Sequence, residues 1–317
     1  MPRALVIGAG GQDGRLLSRH LLDRDYDVRG WVRAEGSNPP PCPCGVVDLL
    51  QSAVVEQEIQ ALQPDEIYYL AAFHHSTEDT FGEDAAELLR RSFDVHVTGL
   101  INVLRGLKKW SPKARLFYAA SSHIFGRSET EWQDEQSALR PDSAYGISKA
   151  AGIQCCRFYR QQEGLFAATG ILFNHESALR KPSFLSRKIV QGALQAEQDP
   201  TWRFRLGDLD ASVDWGYAPD YVDAMWRILQ LPGASDFVVA TGELHTVREF
   251  AQAAFGALGL DWNRHVLTDA GLLNRRSYPL RGNPQKLKQA TGWSPTMGFA
   301  QMVAKLVQET KSLTEAR

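Results

Sequence analysis

Between residues 3 and 172 the chain alternates short apolar runs, which predict buried strands, with stretches whose apolar residues recur at helical spacing. Strands are predicted near 3–8, 27–32, 45–47, 66–70, 114–120 and 166–172, and helices near 12–24, 50–62, 85–109 and 143–163. Strand and helix in turn form the βαβ signature, so the fold class is α/β, a Rossmann-type doubly wound parallel sheet. After Phe173 the texture changes to loops rich in Arg, Asp and Trp, with one further buried strand at 236–241. Helices are expected near 184–195, 219–231, 247–258 and 297–312, the last approached through the breaker Gly292-Trp-Ser-Pro295. These segments predict a smaller, discontinuous α/β lobe from about 173–214 and 243–317, set against a first domain of 1–172 plus about 215–242.

Composition narrows the function without naming it. A chain of 317 residues, 44% hydrophobic and 23% charged, can bury a large core, and a net charge of −2 with interspersed signs provides no basic footprint for nucleic acid. Eighteen consecutive apolar residues occur nowhere, and the amino end enters a strand directly, so neither membrane nor export is expected and the cytoplasm is the predicted location. The four cysteines, Cys42, Cys44, Cys155 and Cys156, are spaced as C-x-C and C-C, unlike a zinc half-site, and read as reduced thiols with no metal.

Gly8-Ala-Gly-Gly11-Gln12-Asp13-Gly14 follows a predicted strand and opens a predicted helix. In that context the glycines permit a tight turn and close backbone approach, and the helix amino end faces a dinucleotide pyrophosphate. The second strand ends in Gly30-Trp-Val-Arg33 with no acidic residue placed for an adenosine ribose, whereas Arg33 suits a 2′-phosphate, so NADP is favoured over NAD. Arg33 as a solvated surface residue is the alternative. Asp48 and Leu49, after the third strand, are candidate adenine contacts, with Asp48 as a helix cap the competing reading.

Chemistry is carried by Ser121-Ser122, just past a strand's carboxyl end, and by Tyr145-Gly-Ile-Ser-Lys149 on a helix. One helical turn puts Tyr145 and Lys149 on the same face, where an ammonium is expected to lower the phenol's pKa. A phenol so tuned exchanges protons with a substrate hydroxyl.

With these stretches the chain resembles an extended short-chain dehydrogenase/reductase, and within that superfamily the GDP-mannose 4,6-dehydratases. The resemblance rests on "GAGGQDG" at 8–14, "QPDEIYYLAA" at 63–72, "YGISK" at 145–149, "GILFNHES" at 170–177, "GDLDASVDWGYAPDYVDAMW" at 207–226 and "VVATGELHTVREF" at 238–250. It implies that Tyr145 is the acid/base at the sugar C4 hydroxyl, that Lys149 binds the nicotinamide ribose, and that Ser121 hydrogen-bonds the same hydroxyl. Gly8, Gly11, Gln12, Asp13, Gly14, Leu70, Ala71 and Ala72 would line the dinucleotide site. His75, Ser122, Asn174, Arg180 and Lys188 would contact a GDP-sugar, with Arg187 a further phosphate or subunit contact. A homodimer through the helices near 85–109 and 143–163 is also implied.

The implied reaction oxidises C4, eliminates water across C5 and C6, and returns hydride to C6. The family's base, usually a Glu two residues after the catalytic Ser or Thr, is His123 here. A neutral imidazole can take the proton, so His123 is the candidate base. Val213 stands where the family has an Arg, and Arg275-Arg276-Ser277-Tyr278 replaces an acidic sugar-side segment. The missing carboxylate leaves a 4-keto-6-deoxy-sugar reductase or epimerase as the alternative, and a non-catalytic NADP-binding sensor as a third.

Overall fold

A computed structural model describes residues 1–34, 36, 39–73, 84–269, 271 and 278–315. Seven parallel strands form its main sheet: β1 (Arg3–Ile7), β2 (Asp27–Val32), β3 (Cys44–Val46), β4 (Glu66–Tyr69), β5 (Arg115–Ser121), β6 (Phe166–Leu172) and β7 (Asp236–Val239). Their order is β7-β6-β5-β4-β1-β2-β3. The chain therefore leaves β1 toward β2 on one side and resumes at β4 on the other, which opens a crevice at the carboxyl ends of β1 and β4.

The inner strands are buried on both faces, as a parallel sheet covered by helices requires. On one face pack α1 (Gln12–Leu22) and α7 (Ala218–Gln230). In α1 Gly14, Leu17, Ser18 and Leu21 are buried, an i, i+3, i+4, i+7 stripe. On the other face lie α2 (Ser52–Leu62), α4 (Gly99–Trp110) and α5 (Ala144–Gln162), contributing Ile59, Leu104 and Ile153 to a core shared with Tyr69 and Tyr118.

The helix predicted over 85–109 is broken into α3 (Ala85–Phe93), a π-helical turn at Asp94–Thr98, and α4. A π turn inserts one extra residue per turn and rotates the side chains that follow, a change no periodicity signals.

A third apolar core lies apart from the sheet. It is built by α6 (Leu185–Gln198), α8 (Val247–Gly256) and α10 (Phe299–Glu315) around Trp215, Phe250, Phe255 and Val303. Two short strand pairs accompany it: Phe204–Leu206 with Val266–Thr268, and Ser212–Val213 with His245–Thr246. Between α8 and α10, α9 (Gln285–Thr291) sends Leu287 back into the core of the sheet, where Trp293 joins it. No described helix is long and apolar enough to cross a membrane.

Candidate active site

The loop after β1 forms half of the crevice. Gly8 has φ of +92°, and a Cβ there would stand 2.8 Å from the Ala71 nitrogen, so Leu70 and Ala71, just past the end of β4, run directly beside it, with Ala72 next in the chain. A Cβ at Gly14 would overlap the Gly8 carbonyl, which is why α1 approaches the loop so closely. Gly11 caps α1 in an extended conformation without a side-chain cap. The first-turn N–H groups of α1 are thereby left for an anion, and this cradle of bare backbone fits a dinucleotide pyrophosphate.

Opposite it, β5 and α5 bring together the candidate acid/base group. Ser143 caps α5, accepting the Gly146 N–H at 3.1 Å, and so fixes the helix start two residues before Tyr145. A Cβ at Gly146 would lie 2.5 Å from the His123 carbonyl, so the glycine lets α5 press against the turn Ser122–Ile124. The Ser121 hydroxyl hydrogen-bonds the Tyr145 phenol and accepts the His123 N–H at 3.3 Å. The Tyr145 ring sits between two imidazoles that meet it edge-on, His96 at 5.3 Å and His123 at 5.7 Å between centroids.

His96 is fully buried on the π turn. Its Nε2 accepts the Phe73 N–H at 3.0 Å, so Nδ1 is the protonated nitrogen and donates to Ser148 Oγ at 2.8 Å. Ser148 in turn donates to the Tyr145 carbonyl at 3.0 Å, tying the loop after β4 to α5.

Lys149 is 1% exposed and donates to the Ala119 carbonyl at 2.7 Å, with Nζ 5.7 Å from the Tyr145 ring centre. Burial pushes it down to about 7, against the attraction of Asp13. The expected lowering of Tyr145 by Lys149 is not what the structure gives. Burial raises the phenol to about 12, and the cation opposing it is Arg180, aided by the Ser121 hydrogen bond.

Arg180 comes from the segment that follows β6. The short strand Asn174–Glu176 pairs in parallel with Trp215–Tyr217, and Asn174, half-buried, opens it. Arg180 follows with Nε 3.5 Å from Glu176 Oε2 and its guanidinium 3.9 Å over the Phe184 ring, while Lys188 is half-buried on α6. The same strand carries His175, which the sequence reading overlooked although it lies between two selected residues. His175 Nε2 faces Asp13 Oδ2 at 3.0 Å and Nδ1 faces the Phe173 carbonyl at 2.7 Å. Both partners only accept, so the ring is an imidazolium. Burial alone would lower its pKa, but the Asp13 carboxylate overrides that and holds it above the ordinary 6.5. Burial likewise acts to raise Asp13, and the His175 charge and hydrogen bond outweigh it, leaving about 2.

The remaining candidates divide. Arg33 is exposed just past the end of β2, and Arg15 of α1, which the sequence did not single out, donates to the Gly10 and Pro39 carbonyls at 3.2 and 3.1 Å. Asp48 is used as a turn cap, accepting the Leu50 N–H at 3.0 Å, and the Leu49 carbonyl accepts from Asn102 at 2.8 Å. Ser122 is buried within its turn. His75 and Arg275 to Ser277 lie outside the described residues. Val213 pairs with His245, and beside it Asp214, 1% exposed, accepts from Thr241, Gly242 and Gly282, so this part of the "DWG" stretch serves structure. Cys42 and Cys44 are free thiols 3.9 Å apart, and no metal cluster occurs among the described residues.

Comparison with known proteins agrees with this geometry. The GDP-mannose 4,6 dehydratase family model matches residues 5–306. GDP-mannose 4,6 dehydratase 2 of Arabidopsis thaliana is 34% identical, covering 98% of this chain and 87% of its own. The human GDP-mannose 4,6 dehydratase is 33% identical, covering 96% and 90%. Two solved structures share the fold: dTDP-glucose 4,6-dehydratase of Bacillus anthracis in complex with NAD (TM-score 0.84, 19% identity, 99% and 98% coverage), and RMD of Pseudomonas aeruginosa complexed with NADPH (TM-score 0.82, 22% identity, 98% and 100%). A nicotinamide dinucleotide is the cofactor typical of the family. Sequence and structure together place this chain in the GDP-mannose 4,6-dehydratase family, within the extended short-chain dehydrogenase/reductases.

Proposed function

We propose that the protein is an NADP-dependent 4,6-dehydratase acting on GDP-mannose or a related GDP-sugar such as a GDP-heptose. The observation that carries this reading is the Tyr145 phenol, hydrogen-bonded to Ser121 and flanked by His96 and His123, beside a dinucleotide cradle at Gly8–Gly14. We take 1–172 plus about 215–242 as the dinucleotide domain and about 173–214 and 243–317 as the sugar-nucleotide lobe.

The residues suit the steps in order. The cradle glycines with Gln12, Leu70, Ala71 and Ala72 would hold the dinucleotide, with Arg33 toward a 2′-phosphate and Asp48 and Leu49 toward adenine. When bound, the nicotinamide accepts hydride from C4 and returns it to C6. Tyr145 takes the proton of the C4 hydroxyl, with Ser121 orienting that oxygen and Lys149 meeting the ribose. Formation of the 4-ketone acidifies C5–H, and His123 removes that proton and, as the imidazolium, passes it to the C6 hydroxyl, which leaves as water. Asn174, Arg180, Lys188, Ser122 and His75 would hold the GDP-sugar.

Purified protein with NADP and GDP-mannose or a GDP-heptose should yield a product lighter by one water in mass spectrometry; intact substrates throughout would count heavily against the reading. His123→Ala should lower kcat by about a hundredfold or more. Undiminished turnover would remove the role given to that side chain. Arg33→Ala should weaken NADP more than NAD, and equal losses would reject the 2′-phosphate contact. The homodimer is proposed through α4 and α5, where Ile101, Ile147 and Phe158 are exposed at 37%, 39% and 55%. Light scattering on the eluting protein reads it directly, a monomer mass being the contrary result.

His123 in place of a carboxylate favours one second reading, a 4-keto-6-deoxy-sugar reductase or epimerase. Net NADPH consumption with a 4-keto-6-deoxy GDP-sugar would identify the former.

A further inference from the structure

The first turn of α1 is stitched to the sugar-side strand by three hydrogen bonds. Gln12 Nε2 donates to the His175 carbonyl at 3.2 Å, Ser177 Oγ donates to Gln12 Oε1 at 2.9 Å, and His175 Nε2 donates to Asp13 Oδ2 at 3.0 Å. Arg180 Nη1 reaches the same His175 carbonyl at 3.3 Å, so one peptide oxygen is shared between the dinucleotide loop and the sugar-side segment. The His175 ring is 7% exposed and stacks on Tyr221 of α7 at 4.5 Å and 20°. The charged and titratable groups facing it are Asp13 from α1, Tyr221 from α7, and Arg180 and Glu176 from its own segment.

Asp13 is an anion in the first turn of the helix whose amino end must receive a pyrophosphate. Two negative groups at one helix start repel, unless a counter-charge is held against the carboxylate. The His175 imidazolium supplies it. If His175 gave up its proton, one ring nitrogen would become an acceptor facing either the carboxylate or the Phe173 carbonyl. The contact would open, and the His175 carbonyl shared by Gln12 and Arg180 would move with it.

We propose that the Asp13–His175 pair is a coupling latch: a nicotinamide dinucleotide at the α1 amino end and a nucleoside diphosphate beside Arg180 favour the same closed arrangement, so each strengthens binding of the other. This rests on the substrate reading above. Asp13 and His175 act as positioning residues, since neither is placed on the reacting carbons. Because such coupling is reciprocal, either ligand reports it.

The test is calorimetric titration of the full chain with NADP and with GDP, each alone and each with the other saturating, for wild type, Asp13→Asn and His175→Gln. Asp13→Asn keeps shape and packing, and thermal melts check that it folds. Wild type should bind GDP about fivefold or more tighter when NADP is present, and both variants should reduce that ratio to near one. Binding of both ligands without coupling in wild type, or undiminished coupling in the variants, would overturn the latch alone. Binding of NADP with no binding of GDP would overturn the substrate reading and the latch with it. In 15N spectra at neutral pH, His175 should show both ring nitrogens protonated in wild type and lose one in Asp13→Asn. A neutral His175 in wild type would also refute the latch.

Discussion

Tyr145 is held in a setting that resists ionisation, and the group working against that resistance is Arg180 and not Lys149. Lys149 spends its proton on the Ala119 carbonyl and is itself pushed down to about 7 by burial. A cation near a phenol stabilises phenolate, so removing Arg180 should raise the Tyr145 pKa. Arg180→Met should therefore move the rising limb of kcat to higher pH by about half a unit or more. An Arg180 that only grips substrate would change KM and leave the limb where it is. That Tyr145 and Lys149 share one face of α5 was legible from their spacing, because one helical turn dictates it. The direction of the tuning was not, since it depends on burial and on a residue thirty-odd positions downstream that folding alone brings near. His175 was hidden for a related reason: its partner, Asp13, lies 162 positions away.

At the level of elements, α5 delivers the phenol because two local features agree. Ser143 starts the helix, and Gly146 lets its first turn sit against the His123 carbonyl. Gly146→Ala would put a methyl group 2.5 Å from that oxygen and 3.1 Å from Pro141 Cβ, forcing the amino end of α5 outward. Such overpacking costs about 1–3 kcal/mol. The displacement of Tyr145 should reduce kcat by about tenfold or more, since near-attack geometry is lost within an ångström. A melting shift without a rate change would show that α5 is not positioned by this contact. The strands of the main sheet and the extent of α5 followed from apolar periodicity, whereas the short strand pairs, two or three residues long, did not. The π turn at Asp94–Thr98 did not, because it is stabilised from outside the segment: the His96 it carries is bonded to Phe73 and Ser148, on two other elements.

Across the whole molecule, three apolar cores are accompanied by polar contacts between distant segments, among them Asp214, 1% exposed, and the Asp13–His175 pair. The pair gives stability a definite pH signature. Asp13, lowered from 3.8 to about 2, contributes above pH 3.8 and loses that contribution as pH falls through about 2. His175, raised above 6.5, contributes below 6.5 and loses its share as pH climbs through the elevated value. Denaturant unfolding should therefore find Asp13→Asn less stable by about 2 kcal/mol near pH 5 to 6, with the gap narrowing in both acid and alkali. A gap independent of pH would deny the charge pairing. The doubly wound sheet was legible at this scale because each strand and helix announces itself locally. The way α9 returns Leu287 to the sheet's core was not, since a seven-residue helix has too few turns to declare which face it buries. The most direct test of the account is turnover of GDP-mannose deuterated at C4, in the presence of NADP. The account predicts a product lighter by one water with the deuterium at C6. Deuterium washed into solvent, or retained at C4 of unchanged sugar, would contradict it.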